Sequence, residues 1–178
     1  MNSSSNSIMA CFGVAFSKRT LDLVLLKSIS RAQSMSETTL VLLKPDCLAN
    51  HHCGDVIKRF EEAGLNIVGC KMMFLQDQVL ADHYAHILDR PFYPELKVFM
   101  QSGPVIVLAL SGNNAVALVR ELMGPTDSRK AEKGTIRGDF GSDVMTNVVH
   151  GSDTPKNAVA ELKQFFTNTE LFEAGVKH

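Results

Sequence analysis

The chain has 178 residues, enough for one domain with a sizeable core plus an appendage and too few for two ordinary domains. Its 18 Lys and Arg against 19 Asp and Glu leave a net charge of −1, which removes any global attraction to DNA or another polyanion, so an anion site has to be local. No apolar run approaches the ~20 residues that span a bilayer, which predicts a soluble protein that does not enter a membrane.

Residues 1–36 read as a disordered or targeting leader. They are rich in serine, carry Lys18, Arg19, Lys27 and Arg31 against one acid, Asp22, and place no positive charge before the apolar Ile8–Phe16 stretch. Two origins stay open, an organellar presequence or sequence upstream of a start at Met35. The second is favoured, because arginines are few and Met35 directly precedes the folded pattern. Both predict disorder there and one folded domain over 37–178. The four cysteines, Cys11, Cys47, Cys53 and Cys70, have neither zinc-ligand spacing nor a disulfide framework, although a Cys47–Cys53 pair stays open. A reducing compartment follows, the cytoplasm, with a mitochondrial or other organellar address as the alternative.

Thr38–Leu43 is β-branched and apolar over strand length, and Lys44-Pro45-Asp46 stops it, which delivers Lys44 to the strand's carboxyl end. A polar loop over 50–53 precedes a helix over 54–63, with Val56, Ile57 and Phe60 at helical spacing and Gly64 as its stop. Residues 65–74 alternate as a second strand, with the Met72-Met73 pair expected as core filler. A helical hairpin follows, 76–88 and 91–101, broken at Asp89-Arg90-Pro91. Pro104–Leu110 is the strand expected to be most buried, and 114–123 is a further amphipathic helix. From Gly124 to Ser142 runs a long polar loop with Gly134, Gly138 and Gly141; in compact domains such loops are usually functional or disordered. Residues 147–149 supply a last short strand. Asp153 or Thr154 then caps a helix opened by Pro155, with Val159, Leu162, Phe165 and Phe166 on its inner face. This order fits an α+β fold: a ferredoxin-like split β-α-β sandwich whose four-stranded antiparallel sheet is covered on one face by helices. The helical hairpin is an insertion, and the long loop precedes the last strand.

The segment Asn147-Val148-Val149-His150-Gly151-Ser152-Asp153 is how a nucleophilic imidazole would be mounted. The apolar pair anchors the backbone, Gly151 is expected to leave room beside the ring, and the Ser152 hydroxyl to donate to an incoming oxygen. A neutral imidazole is nucleophilic near pH 7, and a carboxylate can fix one ring nitrogen while the other attacks. His51-His52-Cys53 suggests a metal, yet adjacent residues rarely converge on one ion, and it reads as loop. His83 is assigned no role.

Lys44-Pro45-Asp46, Tyr84, Asp89-Arg90-Pro91-Phe92, Ser102-Gly103-Pro104, the run from Gly134 to Phe140 and the His150 segment together resemble the nucleoside diphosphate kinase family. The likeness runs in order and without a gap from about Thr38 to about Phe166. It implies exchange of the terminal phosphoryl group between nucleoside tri- and diphosphates, mainly from ATP, in two half-reactions through a phosphohistidine, maintaining NTP and dNTP pools. Mg²⁺ would ride mainly on the nucleotide phosphates. By the same resemblance His150 takes the phosphoryl on Nδ1 while Glu161 orients the other nitrogen. Arg120, Thr126 and Arg137 bind phosphates, as suits an anionic transferring group. Ser152 and Tyr84 hold the surroundings of the histidine, Lys44 reaches phosphates and sugar, and Asn147 binds ribose. The base stacks on Phe92, with Leu96 lining the same slot, and stacking discriminates little between bases.

The resemblance also implies a homo-oligomer, hexamer or tetramer, built from dimers joined through the second strand. Two departures stand out. Lys133 replaces a proline that many members carry before Gly-Thr-Ile-Arg, and the tail Phe172–His178 lacks the tyrosine of hexameric members. Asp153 is read as the helix cap rather than as outer-shell help for Mg²⁺. An idle regulatory relative would have lost His150, Arg120 or Arg137, and all three are present. Nucleic-acid binding as a main role is disfavoured, for want of a basic-aromatic stripe. Transfer to another protein stays open as a side activity, as do base preference and assembly size.

Overall fold

The computed structural model describes residues 36–173; the expected leader, Ser36 apart, and residues 174–178 of the tail lie outside the described residues. Strand β1 (Ser36–Leu43) ends at Lys44, and Pro45 opens a short helix, α1 (Pro45–Ala49), where its missing N–H costs nothing. Helix α2 (Cys53–Glu62) closes before Gly64, which adopts φ +85°, the left-handed region that suits glycine. Strand β2 (Asn66–Met73) leads to α3 (Asp77–His83), a 3₁₀ turn (Ala85–Ile87) and α4 (Tyr93–Met100). Strand β3 (Val105–Asn113), α5 (Ala115–Met123), α6 (Ile136–Phe140), β4 (Val149–Gly151) and α7 (Pro155–Phe165) complete the chain.

The four strands form one antiparallel sheet in the order β2-β3-β1-β4, the ferredoxin-like order expected. Helices cover both of its faces rather than one. Leu40, Leu42, Val107 and Ala109 pack with Leu80, Leu96, Met100 and Phe165 of α3, α4 and α7. The alternate residues Val41, Leu43, Leu108 and Leu110 pack with Val56, Phe60, Val119 and Met123 of α2 and α5. The unbroken apolar runs of β1 and β3 are the sequence counterpart of this double burial.

Several local expectations change. The segment from Gly124 to Ser142 is not structureless: a 3₁₀ turn over Ser128–Lys130 and α6 break it, with Thr135 capping α6 by accepting from the Gly138 N–H. Met72 is exposed on the edge strand, so it fills no core, and Val159 faces away from the core while Ala158 takes the inner position. Thr154, not Asp153, caps α7, accepting from the Asn157 N–H at 3.1 Å. Asp153 instead accepts from the Asn157 side-chain amide at 2.7 Å. Cys47 and Cys53 lie with their sulfurs 3.8 Å apart as free thiols.

Candidate active site

Register places the histidine. On β4, His150 pairs with Leu42 of β1, so its ring falls on the face covered by α3 and α7, while Val149 and Gly151 turn to the α5 face. Gly151 therefore makes no room beside the ring. A Cβ there would lie 2.9 Å from Met123 Sδ and 3.0 Å from Val119 Cγ1, so the glycine lets β4 sit close on α5.

The backbone just before the histidine is strained. Val148 has φ +60°, and the Val149 N–H reaches over it to the Asn147 carbonyl at 2.7 Å, closing a γ-turn of the rare positive-φ kind. A β-branched residue in that region persists only where its surroundings hold it. Asp46 Oδ2 accepts the Val148 N–H at 2.9 Å, and the Val148 carbonyl accepts the Lys44 N–H at 2.9 Å. The Lys-Pro-Asp stop after β1 thus clamps the turn that presents His150, a role for Asp46 that spacing does not reveal.

Around the ring, Nε2 is the sealed nitrogen, 3.8 Å from Glu161 Oε1 with no hydrogen bond of its own. The side chain nonetheless keeps 24% exposure, so its open edge is the other one. Ser152 is fully buried and its hydroxyl donates to Glu161 Oε2. Its donor is spent on that carboxylate, so it cannot serve an incoming oxygen; it positions Glu161 instead. Burial works to raise the Glu161 carboxyl, but His150 and Ser152 outweigh it and hold it below the ordinary range. Tyr84 lies edge-on at 6.4 Å between ring centroids, its phenol pushed up by burial. His83, at the end of α3, lies closer still, edge-on at 4.6 Å.

One cavity of about 730 Å³ gathers the predicted residues: Lys44, Tyr84, Phe92, Leu96, Arg120 and Thr126 line it, with Arg137, Asn147, His150 and Glu161; of the predicted set only Ser152 lies behind its wall. Arg120, in the last turn of α5, is exposed, and its side chain makes no ion pair or hydrogen bond among the described residues. Arg137 is buried, its two terminal nitrogens donating to the Gly124 and Val149 carbonyls at 2.9 Å each. Lys44 Nζ donates to Asn147 Oδ1 at 2.5 Å and to the Met145 carbonyl at 3.1 Å. Asn147 spends both amide hydrogens on the Thr126 and Val144 carbonyls, leaving only oxygen to offer a sugar. At the mouth, Phe92 and Val144 are about half exposed while Leu96 lies deeper. Val144 carries no motif signal in the sequence. His51 and His52 take no part: His52 stacks on Phe140 at 4.6 Å.

Cationic groups from β1, α5 and α6 thus converge with one approachable imidazole, an arrangement suited to moving an anionic group onto nitrogen. The comparisons with known proteins agree with that chemistry. The family model described as nucleoside diphosphate kinase matches residues 37–171. Nucleoside diphosphate kinase 1 of Protochlamydia amoebophila is 49% identical over 136 residues, covering 76% of this chain and 96% of that protein. Its counterpart in Parabacteroides distasonis is 44% identical over 142 residues, covering 80% and 93%. Among solved structures, the nucleoside diphosphate kinase of Halobacterium salinarum in complex with CDP superposes with a TM-score of 0.76 at 39% identity, covering 79% of this chain and 93% of that one. The chain belongs to the nucleoside diphosphate kinase family, and it is a phosphotransferase of that kind.

Proposed function

We propose that the transfer runs in two steps through a phosphohistidine at His150. In the first, Nδ1 attacks the terminal phosphorus of a nucleoside triphosphate, the bond to the bridging oxygen breaks, and the diphosphate leaves with the electron pair. In the second, a terminal oxygen of another diphosphate attacks the phosphohistidine, the P–N bond breaks, and the imidazole is restored. The observation that carries this reading is the ring itself: Nε2 sealed against Glu161, the opposite edge open to a cavity lined by Lys44, Arg120 and Arg137. Glu161, kept anionic, orients the ring and favours the more positive imidazole formed on phosphorylation. Ser152 fixes Glu161, and Tyr84 packs beside the ring.

Arg120, Arg137, Thr126 and Lys44 would bind the phosphates, and Asn147 would accept from a ribose hydroxyl through Oδ1. Phe92 and Leu96 supply the base slot, with Val144 at its mouth; stacking without hydrogen-bond readout gives broad base use. Mg²⁺ fits as a passenger on the phosphates. Lys44, Arg120 and Arg137 line the cavity together with Asp82, Glu161 and Asp153, and Asp153, exposed there and free of the capping task, is the carboxylate that would meet the ion through water. When bound, Mg²⁺ neutralises charge on the phosphates. The chain is read as a homo-oligomer built from dimers: β2 is an open sheet edge with Ile67, Met72 and, just beyond it, Phe74 exposed. No helix among the described residues is long and apolar enough to cross a membrane, and a cytoplasmic site of action fits nucleotide exchange. The test is direct: ATP labelled in its terminal phosphate should leave acid-labile, base-stable label on the protein, and GDP should remove it as labelled GTP. Label that GDP cannot discharge would overturn the reading.

Lys44 gives a pH signature. Burial first, with Arg137 adding and Asp46 and Asp143 opposing, pushes its ammonium down to about 8. The free protein therefore loses this charge as pH rises through about 8, whereas bound phosphates restore it. Above that pH, GDP binding should take up a proton and weaken by up to about tenfold per pH unit. Calorimetric titration at pH 9 in buffers of different ionisation heat measures the uptake, and Lys44→Met should erase it. Binding with no proton uptake would show that Lys44 does not meet the phosphates.

A further inference from the structure

We propose that His83, His150 and Glu161 form a site for a borderline transition-metal dication such as Zn²⁺, whose occupancy holds His150 and arrests phosphoryl transfer. Each residue offers one ligand atom, and these atoms lie within 4.8 Å of one another; among the described residues no other group of histidine, cysteine and acidic side chains comes together this way. His83 is more than nine-tenths buried, and neither of its nitrogens makes a well-formed hydrogen bond, the Gln164 side chain being the polar group beside it. His150 Nε2 is likewise buried and unpartnered, and Glu161 Oε1 stands 3.8 Å from it. Two imidazoles with buried, unpartnered nitrogens beside a carboxylate are costly without a shared partner, because buried polar groups are nearly always paired.

The donor set selects the partner. An imidazole offers one ring-nitrogen lone pair to a metal, and a carboxylate offers an anionic oxygen. Two imidazoles and one carboxylate suit Zn²⁺ or Co²⁺ with an open fourth position, whereas Mg²⁺ prefers six oxygens. Zinc bonds of about 2.0–2.2 Å set tetrahedral ligands roughly 3.3 Å apart, so the His150–Glu161 pair is already within about half an ångström. His83 supplies the remaining closure by rotation of its side chain at the last residue of α3. The nucleotide cavity, which all three residues line, is the entry path. A cation on Nε2 withdraws electron density from the ring and pins it, opposing attack by the other nitrogen.

Arrest rests on the phosphohistidine reading; binding does not. Metal-free full-length protein, without nucleotide, is titrated with CoCl₂ and separately with ZnCl₂. One equivalent per chain should bind, giving the visible bands of four-coordinate cobalt with nitrogen and oxygen donors and no sulfur charge-transfer band. His83→Phe, which keeps the ring volume, and His83→Asn should each weaken binding more than about tenfold, since losing even an outer-shell partner of a metal ligand costs that much. Thermal melting confirms that the variants fold. In the activity arm, ZnCl₂ added before labelled ATP should suppress phosphoprotein formation in the wild type and not in the His83 variants. Sulfur charge-transfer bands, unchanged affinity in both folded variants, or equal zinc inhibition of them would overturn the proposal. If wild-type protein given Mg²⁺ and no zinc takes no label at all, the phosphohistidine reading fails while the cobalt titration still decides the site.

Discussion

Replacing His150 with alanine is expected to abolish labelling of the protein by ATP and to lower transfer to GDP by at least about 10⁴-fold, the scale on which loss of a covalent nucleophile is felt. The cationic lining stays in place in this variant, so nucleotides should still bind with near wild-type affinity; only the group that accepts phosphorus is gone. Residual turnover would report direct transfer between two nucleotides held side by side. The fold should survive, because the ring is partly exposed and β4 is held through Val149 and Gly151 pairing with β1 and by the Asp46 bond to Val148. Rapid-quench labelling and a coupled steady-state assay measure the two effects, with a melting curve as the control. Undiminished transfer in a folded His150→Ala protein would sink the two-step mechanism.

How far the fold could be read in advance depended on the length of each periodic segment. The β1 and β3 runs, the α2, α5 and α7 patterns and the antiparallel order all appear where apolar spacing put them, because each buries a continuous stripe. Two short helices were not legible. Helix α1 spans five residues beginning at Pro45, a residue that reads equally well as a stop. Helix α6 contains Gly138, whose hypothetical Cβ would fall 2.0 Å from the Glu132 carbonyl oxygen; the residue is glycine for close packing, though it reads as loop. The single-face covering failed for a physical reason too. A run such as Leu40–Leu43 has no polar alternate, and that absence is itself the sign of two buried faces.

The site was legible where a residue type alone implies its chemistry and illegible where context reassigns it. Ten of the eleven predicted residues reach one cavity. Ser152 has the right hydroxyl, but only the α7 position of Glu161 shows where the proton points. Asp46 and Val148 act through backbone geometry that pairs residues 102 positions apart, which local spacing cannot encode. His83 is assigned no role from the sequence, and local spacing does not show that the end of α3 sets both its ring and that of Tyr84 beside His150.

Arg137→Ala should give the second large effect, on rate and stability at once. The guanidinium stays protonated at pH 7, because burial and then Arg120 push it down only to about 10. Two cations held near each other in a cavity wall repel until an anion arrives, which is how a site is made ready for a phosphoryl group carrying negative charge on three oxygens. Losing one such donor should slow transfer by about 2 to 3 kcal/mol, or roughly 30- to 150-fold. The same change strips partners from the Gly124 and Val149 carbonyls, so unfolding stability should fall by about 1–3 kcal/mol. Arg137→Lys separates the two contributions: it keeps a charge but lacks the fork that reaches both carbonyls. Single-turnover labelling should place lysine between wild type and alanine in rate, while urea unfolding places both variants below wild type. A rate that holds while stability falls would reduce Arg137 to a buried tie between the end of α5 and the strand that carries His150.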